Sequence, residues 1–262
     1  MSWIMDTLGT IPDGVILVCG SLFLALIALV VAATAHHLLF IPGEQALESH
    51  AKLAELVHTS LVAFTVFVLA IVLNDVRSNL GRADDANLRE AATITRLDRE
   101  LALAGGPVAV AARKTLRDYV NAVTSVEWPQ LGTSAPTLSS QAEQFLVTLT
   151  GETRAIAAAQ PDSATALRAL VDKLAEYRDG RLESATKSVP RVFWWGVAAF
   201  LFGAMIMNGR HSFDRASAML ITLHMGALGL VIAMILVMDE PFRGQTSISP
   251  IPISSALKTF PP

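Results

Sequence analysis

The residues best equipped for chemistry in this chain are histidines and carboxylates gathered beside its apolar runs. His36 and His37 close the first such run, and His50 and His58 flank the start of the second. Brought to one surface, these four imidazoles would make a metal site or a pH sensor. Two adjacent residues on a helix point about 100° apart, so His36 and His37 do not easily face one ion. His50 and His58, eight residues apart, share roughly one face. The plainer reading is preferred: amphipathic side chains with an apolar body and a polar tip at an interface. His224 differs because it lies inside an apolar run, where an ionisable side chain usually faces protein or a cavity.

The carboxylates give a sharper pattern. Glu44, Glu48, Glu55 and His58 follow at helical steps and fall on one side of a helix, and the stripe continues through Val62, Thr65 and Leu69 before Asn74-Asp75. Repeated around a symmetry axis, the stripe would be an acidic ring leading into an apolar and hydroxyl-lined passage. Carboxylate rings favour cations, and apolar constrictions gate by dewetting. The competing reading is a solvated face on a helical extension outside the membrane.

Other chemistries lack their signatures. No Gly-rich phosphate loop, Gly-x-Ser-x-Gly elbow or paired-His metalloprotease helix is present. Gly105-Gly106-Pro107 precedes a helix but has no following Lys-Ser/Thr, so it reads as a turn. A net charge of −3 and the lack of a basic tract give no case for nucleic acid. Cys19 is the only cysteine and sits in an apolar run, so neither an internal disulfide nor a Cys-rich metal site is expected. No cofactor and no bound metal are implied.

The elements that must position these side chains are set by the lipid bilayer. Hydrophobic residues make up 52% of the 262, and charged residues only 16%, well below the roughly 25% charge of soluble domains. Four stretches are long and apolar enough to cross a core of about 30 Å, which takes roughly 20 helical residues: about 15–40, 56–73, 192–207 (the shortest) and 216–238. Pro12-Asp13-Gly14 and Ile41-Pro42-Gly43 bound the first. With no basic residue before it and a long apolar core, it reads as a span rather than a cleaved signal peptide. The second has no breaker between Glu44 and Asn74, so its helix is expected to begin near Glu44. Phe193-Trp194-Trp195 form an aromatic belt where the third span enters after Pro190. Ala199 with Gly203, Gly229 with Ala233, and Thr222 with Gly226 are small residues at helical spacing that allow close packing in lipid, read as contacts within one subunit.

Between the second and third spans, over residues 75–190, the composition becomes that of a soluble, charge-balanced helical domain. Its first helix carries Leu88, Ala91, Ala92, Thr95 and Leu97 and ends at Gly105-Gly106-Pro107. A second runs to about Glu127, Trp128-Pro129 and residues 132–140 form a loop, a third reaches about Gln160, and a fourth runs from Pro161 towards Lys187. The fold class is therefore an all-α membrane protein, with a helical bundle inserted between spans two and three and a tail over residues 239–262. Arg77, Arg82, Lys187, Arg191 and Arg243 near the span ends outnumber Lys52, Arg210 and Arg215 on the other side. That bias places the bundle and both termini in the cytoplasm.

Several segments together resemble the bacterial bestrophin-like membrane protein family. They are Arg117-Asp118-Tyr119, Glu127-Trp128-Pro129, the run Asp239-Glu240-Pro241-Phe242-Arg243-Gly244, and Ser249-Pro250-Ile251-Pro252, set within two spans, a helical domain and two more spans. The family is in turn distantly similar, by topology, to bestrophin ion channels. That resemblance implies a bacterial inner-membrane homo-oligomer, a pentamer, passing inorganic ions along its second span. It also implies a neck of bulky apolar side chains, formed by Phe64, Val68 and Val72 or by Phe64, Phe67 and Ile71. Asp239 and Glu240 stand where animal bestrophins bind calcium, but two carboxylates beside a proline fall short of six to eight oxygens, so calcium gating is not implied. The function expected is an ion channel, with cations favoured by the acidic stripe and no catalysis. A non-conducting sensory or interaction protein is the alternative, and a histidine-based metal enzyme or transporter a third.

Overall fold

The structure, a computed structural model, describes residues 11–39, 48–211 and 213–256, and among them every regular element is helical. In chain order these are α1 (Asp13–Leu39), α2 (Glu48–Ala104), α3 (Gly106–Ala122), a π-helical turn (Val123–Glu127), α4 (Trp128–Leu131), α5 (Ser140–Ala159), α6 (Pro161–Thr186), α7 (Arg191–Asn208), α8 (Arg215–Met238) and α9 (Ile251–Ala256). Four helices among the described residues are long and apolar enough to cross a membrane. The described chain divides into a membrane unit (residues 11–77 and 188–239) and a helical unit (residues 78–187 and 240–256).

The predicted helix of the second span does not stop at Asn74-Asp75. It is the first part of α2, a single helix of 57 residues, about 85 Å long at 1.5 Å per residue. Nothing in the sequence breaks it before Gly105: an interior glycine such as Gly81 costs about 1 kcal/mol relative to alanine, which a long helix absorbs. Glu44 and the Ile41-Pro42-Gly43 stop lie outside the described residues. One unbroken face of α2 is buried, through Thr65, Leu69, Val72, Val76, Asn79 and Ala83 at alternating steps of four and three.

In the membrane unit, α1 presents a stripe of alanines, Ala25, Ala28, Ala32 and Ala35, all buried. It packs closely on α8 at Gly226 and Gly229, and Ser21 Oγ donates to the Gly226 carbonyl at 2.8 Å. A Cβ at Gly229 would lie 2.8 Å from the Gly20 carbonyl oxygen and 2.9 Å from Leu24 Cβ. Contact this close between backbones holds helices together in lipid, where association depends on packing. Gly229→Val is therefore expected to lower thermal stability in detergent by about 1–3 kcal/mol, the usual range for overpacking. Gly196→Ala, where an added Cβ meets nothing within 4 Å, serves as the control and should not destabilise. Gly203 is fitted closely against Leu61 of α2, whereas Ala199 stays exposed. Gly209, just past α7, packs on α1 and accepts a 2.8 Å hydrogen bond from His36 Nδ1. His36 is thus a polar tip bonded to backbone.

The helical unit packs α3, α5 and α6 around the second half of α2, with Ile94, Leu97, Leu101, Leu116, Val120, Leu149, Leu167 and Leu174 in its core. The α2–α3 corner is the predicted glycine turn, with Gly105 at φ +64° and Gly106 at φ +82°, conformations that glycine adopts without Cβ cost. A bidentate pair, Arg113 Nε and Nη2 to Asp98 Oδ1 and Oδ2 at 2.8 and 2.9 Å, ties the two helices. The loop predicted at Trp128-Pro129 is instead helical. The chain passes through the π turn into α4, and Pro129 falls in the first turn of that helix, where an amide proton is not needed.

Candidate functional site

Two sets of the singled-out residues occupy distinct settings, one along α2 in the membrane unit and one inside the helical unit. On α2, Thr65 (0% exposed), Leu69 (2%) and Val72 (5%) are buried against the other spans of their own chain. The Thr65 hydroxyl donates to the Leu61 carbonyl of its own helix at 2.8 Å. His58, Val62 and Val68 are half-buried on the flanks. Phe64 (55%), Phe67 (64%) and Ile71 (46%) lie together on the opposite, exposed side. The Phe64 ring meets that of Phe200 of α7 at 5.8 Å between centroids. Glu55 is exposed, but it stands about half a turn around from Phe64. The side chains of Glu48 and His50 lie outside the described residues. No group of three or more His, Cys, Asp or Glu among the described residues is placed to hold a metal ion.

The segments that carried the family resemblance converge in the helical unit. Pro241 and Phe242 are buried, and the Phe242 ring meets the Trp128 indole edge-on at 5.3 Å. Trp128 Nε1 donates to the Ile248 carbonyl at 3.3 Å, and Asn87 Nδ2 to the Ser249 carbonyl at 2.9 Å. Gly244, at φ +82°, lets the tail turn back so that the Ile248 amide reaches the Pro241 carbonyl at 2.8 Å. Gly132 leaves room for the Phe242 carbonyl, which a Cβ there would meet at 2.8 Å. Asp239, at the end of α8, accepts from the Val189 amide at 3.2 Å. Pro129 is exposed.

Behind Trp128 lies a fully buried charge network. Arg181 Nε sits 2.7 Å from Glu90 Oε2, an ion pair too bent to be a hydrogen bond, while its Nη2 donates to Glu90 Oε1 at 3.1 Å and to Glu127 Oε1 at 3.0 Å. Arg178 Nη2 donates to Glu127 Oε2 at 2.7 Å and to the Ser139 carbonyl at 2.9 Å. The Ser139 amide returns a bond to Glu127 Oε2 at 2.9 Å, and Arg178 Nη1 reaches the half-exposed Glu143. The Arg181 guanidinium lies 5.4 Å from the Trp128 ring centroid, within cation–π range. Two buried glutamates therefore balance two buried arginines, and the π turn, which closes one residue later than an α turn, sets the direction in which Glu127 and Trp128 point.

Tyr119 completes this network, its hydroxyl donating to Glu90 Oε1 at 2.8 Å. Burial, then the negative charge of Glu90, holds the Tyr119 phenol well above its usual value near 10. Burial likewise raises the Glu90 carboxyl, against the opposing pull of Arg181 and the Tyr119 bond. For tyrosine the raised value means the unfolded chain ionises first. The stability Tyr119 contributes is full below about pH 10 and is lost as pH rises further. Tyr119→Phe is accordingly expected to leave tyrosinate absorbance of the folded protein unchanged up to its alkaline unfolding transition; a reduced signal before that transition would show that the phenol is solvated.

Tyr119, Glu127 and Trp128 were visible in the sequence as motif residues without a role. Glu90, Ser139, Glu143, Arg178 and Arg181 were not, because on sequence alone each is one more charged or capping residue on an amphipathic helix.

Comparison with known proteins rests on this architecture. The bestrophin-like domain family model matches residues 22–253. No curated protein matches the chain. Among solved structures, two variants of a bacterial bestrophin homologue from Klebsiella pneumoniae superpose with TM-scores of 0.66 and 0.65 at 14% identity. The first covers 92% of this chain and 95% of the homologue; the second covers 91% and 94%. At that identity the likeness is one of fold. The family match, by contrast, spans both the membrane helices and the convergence of Trp128 with the Phe242 tail, and the chain belongs to the bestrophin-like family.

Proposed function

We propose that this multi-pass membrane protein is the subunit of an oligomeric ion channel, a pentamer in the bacterial inner membrane, with its pore along the first half of α2. The observation that supports this most directly is the face carrying Phe64, Phe67 and Ile71. These three bulky apolar side chains fall within about two turns of a membrane helix, and their own chain leaves them largely uncovered. Turned towards a symmetry axis, they form a dewetting neck. Residues 75–190 form the cytoplasmic helical domain between spans two and three, in accord with the excess of basic residues at that side. The preference for cations rests on the charge of Glu55, which is exposed near one end of the span but half a turn around from Phe64, and so outside the neck itself. No catalytic step is involved.

The test is ion flux from liposomes holding the purified oligomer under a salt gradient, followed by bilayer recording. Flux that saturates with protein density and a reversal potential on the cation side are expected. Glu55→Lys should shift that potential towards anions. Absence of conductance from an intact, monodisperse oligomer would sink the channel reading, and an unmoved reversal potential would remove Glu55 from the permeation path.

A further inference from the structure

The membrane unit holds a second concave feature, separate from the α2 face. It is a trough of about 280 Å³ between α1, α7 and α8, whose walls include Leu24, Ile27, Trp194, Leu201, Met205 and Ile232. Every residue lining it is apolar. Along α7 it runs from Trp194 to Met205, about 16 Å at 1.5 Å per residue, close to half of a hydrocarbon core of about 30 Å. A helix with its side chains is about 10 Å or more across, too thick for a trough of this volume, whereas a single hydrocarbon chain fits it in length and width.

The end of the trough marked by Trp194 is the end at which α7 begins. Arg191 is exposed there, one turn before Trp194 and on the same side of the helix. Side chains on a helix lean towards its N-terminus, so the guanidinium is directed to the membrane surface beyond the aromatic belt. The first turn of α7 has no side-chain cap, because Pro190 occupies that position. Its leading amides therefore add partial positive charge beside Arg191. An apolar slot one leaflet deep that opens at a cation and an uncapped helix start has the complement of a phospholipid: acyl chain within, phosphate at the rim.

We infer that the α1/α7/α8 trough binds one acyl chain of an anionic phospholipid whose phosphate is held by Arg191. This does not depend on whether the protein conducts. Native mass spectrometry of the full-length oligomer, after incubation with phosphatidylglycerol or phosphatidylcholine in detergent, reads the retained lipid directly. The wild-type protein should keep phosphatidylglycerol in preference. Arg191→Gln should lower that preference about fivefold, the worth of one cation near a lipid surface. Ala198→Phe, which fills the trough from its exposed wall, should abolish retention of both lipids while the elution profile of the oligomer stays unchanged. Equal retention by wild type and Ala198→Phe would overturn the proposal. So would disulfide formation between neighbouring chains through Ala198→Cys in a Cys19→Ser background, since that outcome seats a second copy in the trough. If either variant fails to assemble, quenching of wild-type tryptophan fluorescence decides. Brominated phosphatidylglycerol should quench it more strongly than brominated phosphatidylcholine, and equal quenching would overturn the site.

Discussion

Arg181→Met is expected to destabilise the helical unit by about 3–5 kcal/mol, the range measured when one partner is removed from a buried ion pair. The cause is electrostatic rather than steric, because methionine keeps most of the arginine stem's volume. Glu90 and Glu127 both lose a partner at 0% exposure; Glu127 keeps Arg178, while Glu90 is left with the Tyr119 hydroxyl and no cation. Water, which would screen such charges at a surface, does not reach them. Restoring the balance should therefore restore much of the stability. In Arg181→Met/Glu90→Gln the remaining buried pair is Glu127 with Arg178, and the glutamine still offers Tyr119 an acceptor. Thermal unfolding of the full-length protein in detergent, followed by circular dichroism, gives the comparison. A loss below about 1 kcal/mol for the single variant would place the network in the class of solvated surface pairs. A double variant no more stable than the single one would show that charge balance is not what holds this core.

The second large effect concerns the two faces of α2 in the membrane unit. Phe67→Ala, on the exposed face, should raise the current through each open channel severalfold by widening and wetting the neck, with little change in thermal stability. Leu69→Ala, two residues along on the buried face, should do the opposite: current per channel unchanged, stability lower by about 2–5 kcal/mol, as for other buried leucines truncated to alanine. The contrast is informative because the two positions sit at almost the same depth in the membrane. Unchanged current in both Phe67→Ala and Ile71→Ala would assign their face to lipid and move the pore elsewhere.

The spans were legible because a bilayer imposes length and apolarity on any helix that crosses it, and the four runs in this sequence meet both demands. The α2–α3 corner was legible for a local reason as well, since Gly105 and Gly106 adopt positive φ that other residues avoid. The continuity of α2 was harder to read. A boundary was suggested where composition changes at Asn74-Asp75, yet a change of solvent does not require a change of backbone. Choosing a face of span two also exceeded what the sequence carries. The acidic stripe and the neck residues are both regular at helical spacing, and only the packing of α1, α7 and α8 shows that Thr65 and Leu69 are covered while Phe67 is not. The charge network was hidden for a different reason. Arg178 and Arg181 lie 51 and 54 residues after Glu127, on a helix where their charged neighbours Glu176 and Asp179 are exposed. Burial of an arginine is a property of its partners, and those partners sit on α2 and in the π turn.

The docking of the tail on Trp128 also sets an order of events during synthesis. The indole waits for an edge-on ring and a backbone acceptor that emerge from the ribosome more than a hundred residues later, at Phe242 and Ile248. Contacts so distant along the chain close slowly and late. Between Trp128 and those partners stand two complete membrane crossings, α7 and α8. A nascent chain therefore carries an unfinished core until its last spans have been threaded. A subunit whose insertion fails is left with an uncovered tryptophan over a buried arginine, a mark by which quality control can tell it from a finished one.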